Sequence, residues 1–259
     1  MTYLDGIVAH HRRRASADQR NPEAVRRTLP VAPARGFATA LANSSRLAVI
    51  AEIKRRSPSK GDINMDLVPE LVAREYENAG ATCLSVLTDG PHFAGSVADL
   101  SSARAAVSLP VLRKDFTVCP LDVIDARVMG ADAVLLIVAA LDDRELSELH
   151  GLALEVGLDA LVEVHDEVEL DRALAVNASC IGVNQRDLHT FHVDTQRAVR
   201  LAKRIPPNVI AVAESGIVGA DDARRCADAG YRAVLVGEHL VRSANRALAL
   251  GELRVALPS

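Results

Sequence analysis

The sequence predicts an α/β fold, a (βα)8 TIM barrel with a short helical N-terminal extension. Eight apolar runs alternate with amphipathic segments, which is the order of elements in repeated βα units. Several of the amphipathic segments end at a glycine, the residue that most often terminates a helix. The chain has 259 residues, 49% of them hydrophobic, and this length is typical of a single barrel.

The predicted strands are short and continuously apolar, as in parallel strands that are covered on both faces. They span residues 47–54, 83–88, 111–114, 133–138, 160–164, 180–183, 209–214 and 233–236. Helices are predicted over residues 68–79, 121–129, 142–156 and 221–229, each followed directly by a glycine. An open doubly wound sheet is the alternative, but no Gly-x-Gly-x-x-Gly follows the first strand.

Residues 1–45 precede the first strand and contain two short helical patterns, at 3–14 and 36–42. This segment is too short to form its own core, so we expect residues 1–259 to make one barrel domain on which the extension packs. Covering an active-site mouth and plugging the bottom of the barrel are both open as its role. Its basic tract, residues 10–14, is interpreted as the solvated face of a helix.

Composition excludes several classes of partner. Thirty basic and 34 acidic residues give a net charge of −4, which argues against nucleic acid. No apolar run is long enough to cross a membrane, and no secretory signal is expected. The cysteines show neither zinc nor Cys-x-x-Cys spacing, so reduced thiols in a cytoplasmic protein are predicted. They are Cys83, Cys119, Cys180 and Cys226.

Charged and polar side chains terminate the apolar strands, where barrels place their chemistry. Glu52 and Lys54 are two residues apart at the end of the first strand, so they share one face. The other strand-end residues are Arg113, Lys114, Asp115, Glu163, Asn184, Gln185, Arg186, Glu214, Ser215 and Gly216. Any one of them could be a surface loop residue, but the set predicts a polar site because unpartnered buried charges are costly.

The last two strands are followed by small residues that predict a phosphate site. Ser215 and Gly216 follow the seventh strand, and Gly237 and Glu238 follow the eighth. Barrels commonly bind phosphate at these two loops through backbone N–H groups at a short helix.

The strand-end motifs also resemble one family across nearly the whole chain. The motifs are residues 52–59 (Glu-Ile-Lys-Arg-Arg-Ser-Pro-Ser), 112–116 (Leu-Arg-Lys-Asp-Phe), 161–165 (Leu-Val-Glu-Val-His), 182–184 (Gly-Val-Asn), 213–217 (Ala-Glu-Ser-Gly-Ile) and 236–238 (Val-Gly-Glu). Together they resemble indole-3-glycerol-phosphate synthase of tryptophan biosynthesis. The resemblance implies a phosphorylated small-molecule substrate, 1-(2-carboxyphenylamino)-1-deoxyribulose 5-phosphate, closed to an indole with loss of carbon dioxide and water and without a cofactor.

The resemblance also implies roles for five residues. Lys114 is the general acid for the ribulose carbonyl oxygen, and Glu163 is the general base for dehydration. Lys54 holds the substrate carboxylate and assists the loss of hydroxide. Glu52 orients and tunes the lysines, and Asn184 hydrogen-bonds the reacting hydroxyl.

A second set of residues is implied to bind the substrate. Arg186 suits an anionic group because its planar fork binds carboxylate or phosphate through two hydrogen bonds. Ser57 belongs to the loop expected to close over the substrate. Around the ring and the rest of the substrate the resemblance places Phe93, Phe116, Leu135, Leu188, Glu214 and Ser215, and around the phosphate Ser215, Gly216, Gly237 and Glu238. For Leu135, ordinary core packing is an open alternative.

The sequence departs from the family pattern at two places. Gln185 replaces the usual second asparagine after the sixth strand, and the last helix lacks the usual acidic residue and proline near Ser243, so its start is expected to shift. His165, His189 and His192 have no partner at metal-ligand spacing, so we interpret them as loop or helix-cap residues and expect no metal.

Three other functions fit parts of the pattern. Phosphoribosylanthranilate isomerase would have a cysteine base where this chain has residues 52–54. A class I aldolase would form a Schiff base on a strand-end lysine, Lys54 or Lys114. A non-catalytic sugar-phosphate-binding barrel would tolerate loss of Lys114 and Glu163. We expect the synthase, as a monomer or weak homodimer.

Overall fold

A computed structural model, which describes residues 3–29, 32–187 and 190–258, contains a closed barrel of parallel strands. Each barrel strand pairs with the next one along the chain, and the last pairs with the first. The strands are β1 Ala48–Ile53, β2 Cys83–Leu87, β3 Val111–Lys114, β4 Ala133–Ile137, β5 Asp159–Val164, β6 Cys180–Asn184, β7 Ile210–Glu214 and β8 Ala233–Val236. The predicted fold class is confirmed, and each predicted strand lies within one residue of the observed bounds.

Helices surround the barrel and precede it. They are α1 Tyr3–Ala17, α2 Pro22–Arg26, α3 Phe37–Ala42, α4 Pro69–Asn78, α5 Gly90–Phe93, α6 Val97–Ala106, α7 Pro120–Val128, α8 Asp143–Glu155, α9 Glu167–Ala175, α10 Arg197–Ala202, α11 Ala220–Asp228, α12 Glu238–Arg242 and α13 Arg246–Leu253, with a 3-10 turn at Val138–Ala140. A short hairpin, Arg56–Ser57 paired with Gly61–Asp62, follows β1. The sequence did not predict this hairpin, α2 or α5.

The last helix begins at Arg246, capped by an asparagine side chain. Asn245 Oδ1 accepts a hydrogen bond of 3.0 Å from the backbone N–H of Leu248. Asparagine is among the best N-cap residues because its oxygen satisfies an otherwise free helical N–H. The cap therefore fixes the start of α13 without the acidic residue and proline of the family pattern.

The two faces of each strand have different surroundings. Ala48 and Ile50 of β1 pack inside the barrel, whereas Val49 and Ala51 pack against the surrounding helices. This alternation follows from the two-residue period of a strand. It places Glu52 at the next inward position, at the carboxyl end of the barrel.

Different helices of the N-terminal extension cover the two ends of the barrel. Phe37 and Leu41 of α3 are fully buried and pack with the inward residues at the start of the strands, such as Ala48. Leu4 and Ile7 of α1 lie at the opposite end and line the main cavity. The extension therefore does both things that the sequence left open: α3 plugs the bottom of the barrel, and α1 covers part of its mouth.

The basic tract of α1 is not simply solvated, contrary to the sequence-based interpretation. His11 is buried, and Arg12 donates to both carboxylate oxygens of Glu145 at 2.6 and 2.7 Å. Arg14 forms an ion pair with the buried Asp122 of α7. Local sequence could not show this, because the partners are supplied by helices more than 100 residues away.

Two sequence-based expectations concern the chain as a whole. The four cysteines are free thiols. Within residues 3–29, 32–187 and 190–258, no helix is both long enough and apolar enough to cross a membrane.

We predict that Phe37→Ala lowers the free energy of unfolding by about 3–5 kcal/mol, because it opens a cavity under the fully buried end of the barrel. Urea denaturation measures the change. Val168→Ala, at a side chain that is 70% exposed on α9, is the matched control and should stay within about 0.5 kcal/mol of wild type. Equal effects of the two substitutions would show that α3 is not part of the barrel core.

Candidate active site

A cavity of about 870 Å³ lies at the carboxyl end of the barrel. All the predicted catalytic, substrate-binding and phosphate-binding residues that the structure describes line it. These are Glu52, Lys54, Ser57, Phe93, Lys114, Phe116, Leu135, Glu163, Asn184, Arg186, Glu214, Ser215, Gly216, Gly237 and Glu238. The strand-end residues Arg113 and Gln185 do not line it: Arg113 is buried against Asp115 and Asp122. Leu188 and His189 lie outside the described residues.

Lys114 lies at the centre of the charged residues. Its Nζ is 3.0 Å from Glu163 Oε2 and 2.9 Å from Glu214 Oε2. Burial alone would lower the pKa of Lys114, but the charges of Glu163 and Glu214 raise it above its usual range. The ammonium group is thus held in its charged form until something competes for its proton.

The two carboxylates beside Lys114 differ in their affinity for a proton. Burial raises the pKa of Glu214 to about 7, and the negative charge of Glu163 adds to this effect. Burial also acts on Glu163, but the charges of Lys114 and His165 and the hydrogen bond from Asn184 lower its pKa to about 2. Near neutral pH the pair therefore holds one ionised carboxylate, Glu163, and one group able to carry a proton.

Asn184 and His165 account for much of this difference. Asn184 Nδ2 donates to Glu163 Oε1 at 3.1 Å, and His165 Nε2 lies 3.5 Å from the same oxygen. His165 Nδ1 is 2.9 Å from Glu169 at the start of α9. The sequence identified its position near a helix start but missed its contact with Glu163. His192 is exposed, as expected for a loop residue.

Lys54 forms a separate ion pair with Glu52 on the other side of the site. The two residues share a strand face, as their spacing predicts. Glu52 contacts Lys54 directly but influences Lys114 only through its charge. The structure thus divides the charged residues into a Lys54 pair and a Lys114 triad.

Glycines make room for two of the carboxylates. A Cβ at Gly182 would lie 2.1 Å from Glu214 Oε1, and a Cβ at Gly237 would lie 2.2 Å from Glu52 Oε1. Gly237 was predicted only as a phosphate-binding residue, and Gly182 was not predicted to be in the site at all. The available signal for Gly182 was its inward register, two residues before Asn184 on β6.

The loop after β7 has an unusual backbone. Ser215 and Gly216 have φ values of 63° and 71°, in the left-handed region. Gln185 Nε2 donates to the carbonyl oxygen of Ser215 at 2.7 Å. The residue that replaces the usual asparagine therefore fixes the backbone of the predicted phosphate loop.

Cationic residues missed by the sequence analysis lie beside Glu238 at the same end of the cavity. Lys60 Nζ is 3.8 Å and Arg242 Nε is 3.5 Å from Glu238 Oε1. Both line the cavity, and both are about half exposed. They place two positive charges beside the loop that contains Gly237 and Glu238.

The apolar side of the cavity contains the predicted aromatic residues. The rings of Phe93 and Phe116 have centroids 6.3 Å apart and are tilted by 39°. Leu135 lines the cavity and also packs inside the barrel with the other inward residues. Tyr3 lines the same cavity from α1, which local sequence patterns could not indicate.

Comparison with known proteins identifies close relatives. The indole-3-glycerol phosphate synthase family model matches residues 4–253. Proteins named indole-3-glycerol phosphate synthase are 49% identical over 221 residues in Koribacter versatilis (85% of each chain), 55% over 194 in Nocardioides sp. (75% of each) and 53% over 204 in Leifsonia xyli (79% of this chain, 78% of the relative).

A more distant solved structure is similar in fold alone. Thiamine phosphate pyrophosphorylase from Pyrococcus furiosus superposes with a TM-score of 0.60 at 17% identity, covering 81% of this chain and 94% of that one.

We predict that Gly182→Ala lowers the free energy of unfolding by about 1–3 kcal/mol, because the added methyl group displaces the buried Glu214 carboxylate. Gly251→Ala in α13 is the control, since its Cβ would meet no atom within 4 Å. It should stabilise the protein by about 0.5–1 kcal/mol through helix propensity. Urea denaturation of both variants compares them. A neutral Gly182→Ala would contradict the close approach of Glu214.

We predict that Glu214→Gln changes how stability depends on pH. Between about pH 4.5 and 7 the unfolded chain has lost the Glu214 proton while the folded chain keeps it, so wild-type stability falls as pH rises. The Glu214→Gln variant has no carboxyl proton at this position, so its stability does not fall in this way. Its stability relative to wild type should therefore increase by on the order of 1–3 kcal/mol across that range, measured by urea denaturation at several pH values. A constant difference would mean that Glu214 is ionised throughout.

Proposed function

Because the chain belongs to the indole-3-glycerol phosphate synthase family, we propose that its cavity converts 1-(2-carboxyphenylamino)-1-deoxyribulose 5-phosphate to indole-3-glycerol phosphate. The observation that carries the proposal is Lys114, a charged proton donor held between Glu163 and Glu214 at the closed end of the cavity. The reaction forms a carbon–carbon bond, releases carbon dioxide and then eliminates water.

The first step needs a proton at the ribulose carbonyl oxygen. We propose that Lys114 donates it as the aromatic ring carbon attacks the carbonyl carbon, so that the oxygen becomes a hydroxyl group. Because Glu163 and Glu214 raise the pKa of Lys114, its ammonium group carries a proton when the basic oxygen develops beside it. The neighbouring Glu214 can then return a proton to the amine.

The substrate carboxylate leaves next. We propose that Lys54 holds this carboxylate during ring closure, with Glu52 fixing the ammonium group from behind. The bond to the carboxylate breaks, carbon dioxide departs, and the electron pair restores the aromatic ring. Phe93 and Phe116 provide an apolar surface for that ring.

Dehydration completes the indole. We propose that the hydroxyl leaves as water after taking a proton from Lys54, while Glu163 removes a proton from the substrate so that the new ring becomes aromatic. Asn184 donates to Glu163 at 3.1 Å, and we propose that it also hydrogen-bonds the departing hydroxyl. The low pKa of Glu163 keeps it ionised at neutral pH, so its carboxylate has no proton before this step.

The substrate phosphate is proposed to bind at a different end of the cavity from the reacting groups. We propose that the loops at Ser215–Gly216 and Gly237–Glu238 bind it, with Lys60 and Arg242 supplying positive charge. Arg186 lines the same cavity and suits an anionic group of the substrate. Ser57 lines it from the hairpin after β1, and we propose that this hairpin closes over the substrate.

The Schiff-base alternative is less compatible with this geometry. A lysine that attacks a carbonyl needs a neutral amine, which proteins obtain by lowering the pKa of that lysine. Both carboxylates around Lys114 act in the opposite direction. Lys54 is likewise paired with a carboxylate, Glu52.

We further propose that the protein works in the cytoplasm as a monomer or weak homodimer. The predicted site residues that the structure describes meet within a single chain, and the thiols of Cys83, Cys180 and Cys226 are free and buried, as is usual in a reducing compartment.

We predict that Lys114→Ala lowers kcat by roughly 10²–10⁴-fold, the usual contribution of a general acid. Turnover is followed by indole fluorescence, which is visible because the chain has no tryptophan. Lys203→Ala, at an exposed lysine beyond α10, is the matched control and should retain full activity. A variant that keeps kcat but has a raised KM would assign Lys114 to binding. Wild-type protein without any fluorescent product would overturn the synthase proposal itself.

A further inference from the structure

Two histidines and an aspartate meet where α1 contacts the loop after β2. His11 Nε2 lies 2.9 Å from Asp89 Oδ2, and His92 Nδ1 lies 3.0 Å from the same oxygen. These three atoms all lie within 4.8 Å of one another. None of the three residues has a role in the proposed reaction.

The Asp89 carboxylate is a fixed negative charge. Its other oxygen, Oδ1, accepts hydrogen bonds from the backbone N–H groups of His92 and Phe93, at 2.7 and 3.1 Å. Burial would raise the pKa of Asp89, but the hydrogen bonds from His11 and His92 hold it below its usual range. One oxygen is thus occupied in capping α5, and the other faces two imidazole rings.

The hydrogen bond to the Asp89 carboxylate places the ring proton of His11 on Nε2. His11 is 5% exposed, and its Nδ1 is buried without a hydrogen-bond partner among the described residues. Moving the ring proton from Nε2 to Nδ1 breaks the hydrogen bond to Asp89 Oδ2, the contact that a metal ion bound at Nε2 would replace. It leaves a lone pair on Nε2, pointing toward Asp89 Oδ2 and His92.

We propose that His11 Nε2, His92 Nδ1 and Asp89 Oδ2 form a binding site for a divalent transition-metal cation of the zinc class. Two imidazoles and one carboxylate are a donor set that suits zinc, whereas calcium and magnesium prefer oxygen ligands alone. A tetrahedral ion with bonds of about 2.0–2.1 Å places its ligand atoms a little over ~3 Å apart, close to the 2.9 and 3.0 Å that separate Asp89 Oδ2 from the two imidazole nitrogens.

The surroundings provide access and a fourth position. His92 is partly exposed, with its side chain 21% accessible, so an ion can reach the cluster from solvent. The ring of His10 lies 5.6 Å from that of His92 and 5.5 Å from that of His11, measured between centroids. His10 or a water molecule can complete the coordination, and Asp115 Oδ1, 3.8 Å from His11, adds negative charge nearby.

A bound ion would join two segments that line the cavity. α1 carries Leu4 and Ile7, and the loop that follows β2 carries Phe93 directly after His92. The two segments are connected here through the hydrogen bonds to Asp89. Metal ligation would replace these with stronger bonds and hold α1 against the mouth of the cavity.

Cobalt is the probe that tests this site, because Co²⁺ in a tetrahedral nitrogen and oxygen environment absorbs visible light. The untagged, metal-stripped full chain is titrated with CoCl₂, and we expect a saturable visible absorption spectrum that excess zinc abolishes. His92→Ala should weaken cobalt binding by at least on the order of 10–100-fold. Asp89→Asn, which keeps the helix cap but removes the charge, should do the same. His192→Ala removes an exposed histidine outside the cluster and should leave binding unchanged.

A thermal denaturation series provides a second measurement. Zinc should raise the unfolding midpoint of the wild-type chain with increasing concentration and leave that of His92→Ala unchanged. Wild-type protein without a saturable cobalt spectrum would overturn the proposal and leave the cluster as a hydrogen-bonded contact only. So would equal losses in His92→Ala and His192→Ala, which would indicate nonspecific surface binding. Both readouts are independent of turnover, so failure here would not bear on the synthase activity.

Discussion

A lysine buried between two glutamates is the interaction on which the site depends. Removing an ammonium and two carboxylates from water is costly, and the charges compensate one another only at close range. The barrel meets this condition by bringing β3, β5 and β7 to one point, with Lys114, Glu163 and Glu214 all at inward positions. One ammonium cannot neutralise two carboxylates, so one excess negative charge would remain inside the triad. Burial and this repulsion raise the pKa of Glu214.

Space for these charges comes from residues that carry no charge. Gly182 of β6 and Gly237, directly after β8, stand where any side chain would collide with a glutamate. On the far side of the loop after β7, Gln185 holds the carbonyl of Ser215 and so shapes the backbone beside the cavity. The reactive side chains are thus positioned by neighbours whose only contribution is volume or a single hydrogen bond.

Patterns local in the sequence predicted the fold and most of the site. Continuous apolar strands, two-residue alternation and charged residues at strand ends placed Glu52, Lys114 and Glu163 at one end of a barrel. Contacts between distant segments could not be read in this way. His11 and Asp89 are 78 residues apart, and nothing near either residue indicates that α1 docks against the loop after β2. The same limit applies to the steric role of Gly182, which depends on a side chain from the next strand.

Because α3 closes the amino end of the barrel, it limits where substrate and products can enter and leave the cavity. Phe37 and Leu41 are fully buried at the amino end of the barrel, so in the described structure the cavity communicates with solvent at its carboxyl end. If a sugar phosphate enters there, the carbon dioxide, the water and the bulky indole product must depart by the same opening. The segments around that opening, α1 and the loop carrying Phe93, then control the exit of product as much as the entrance of substrate.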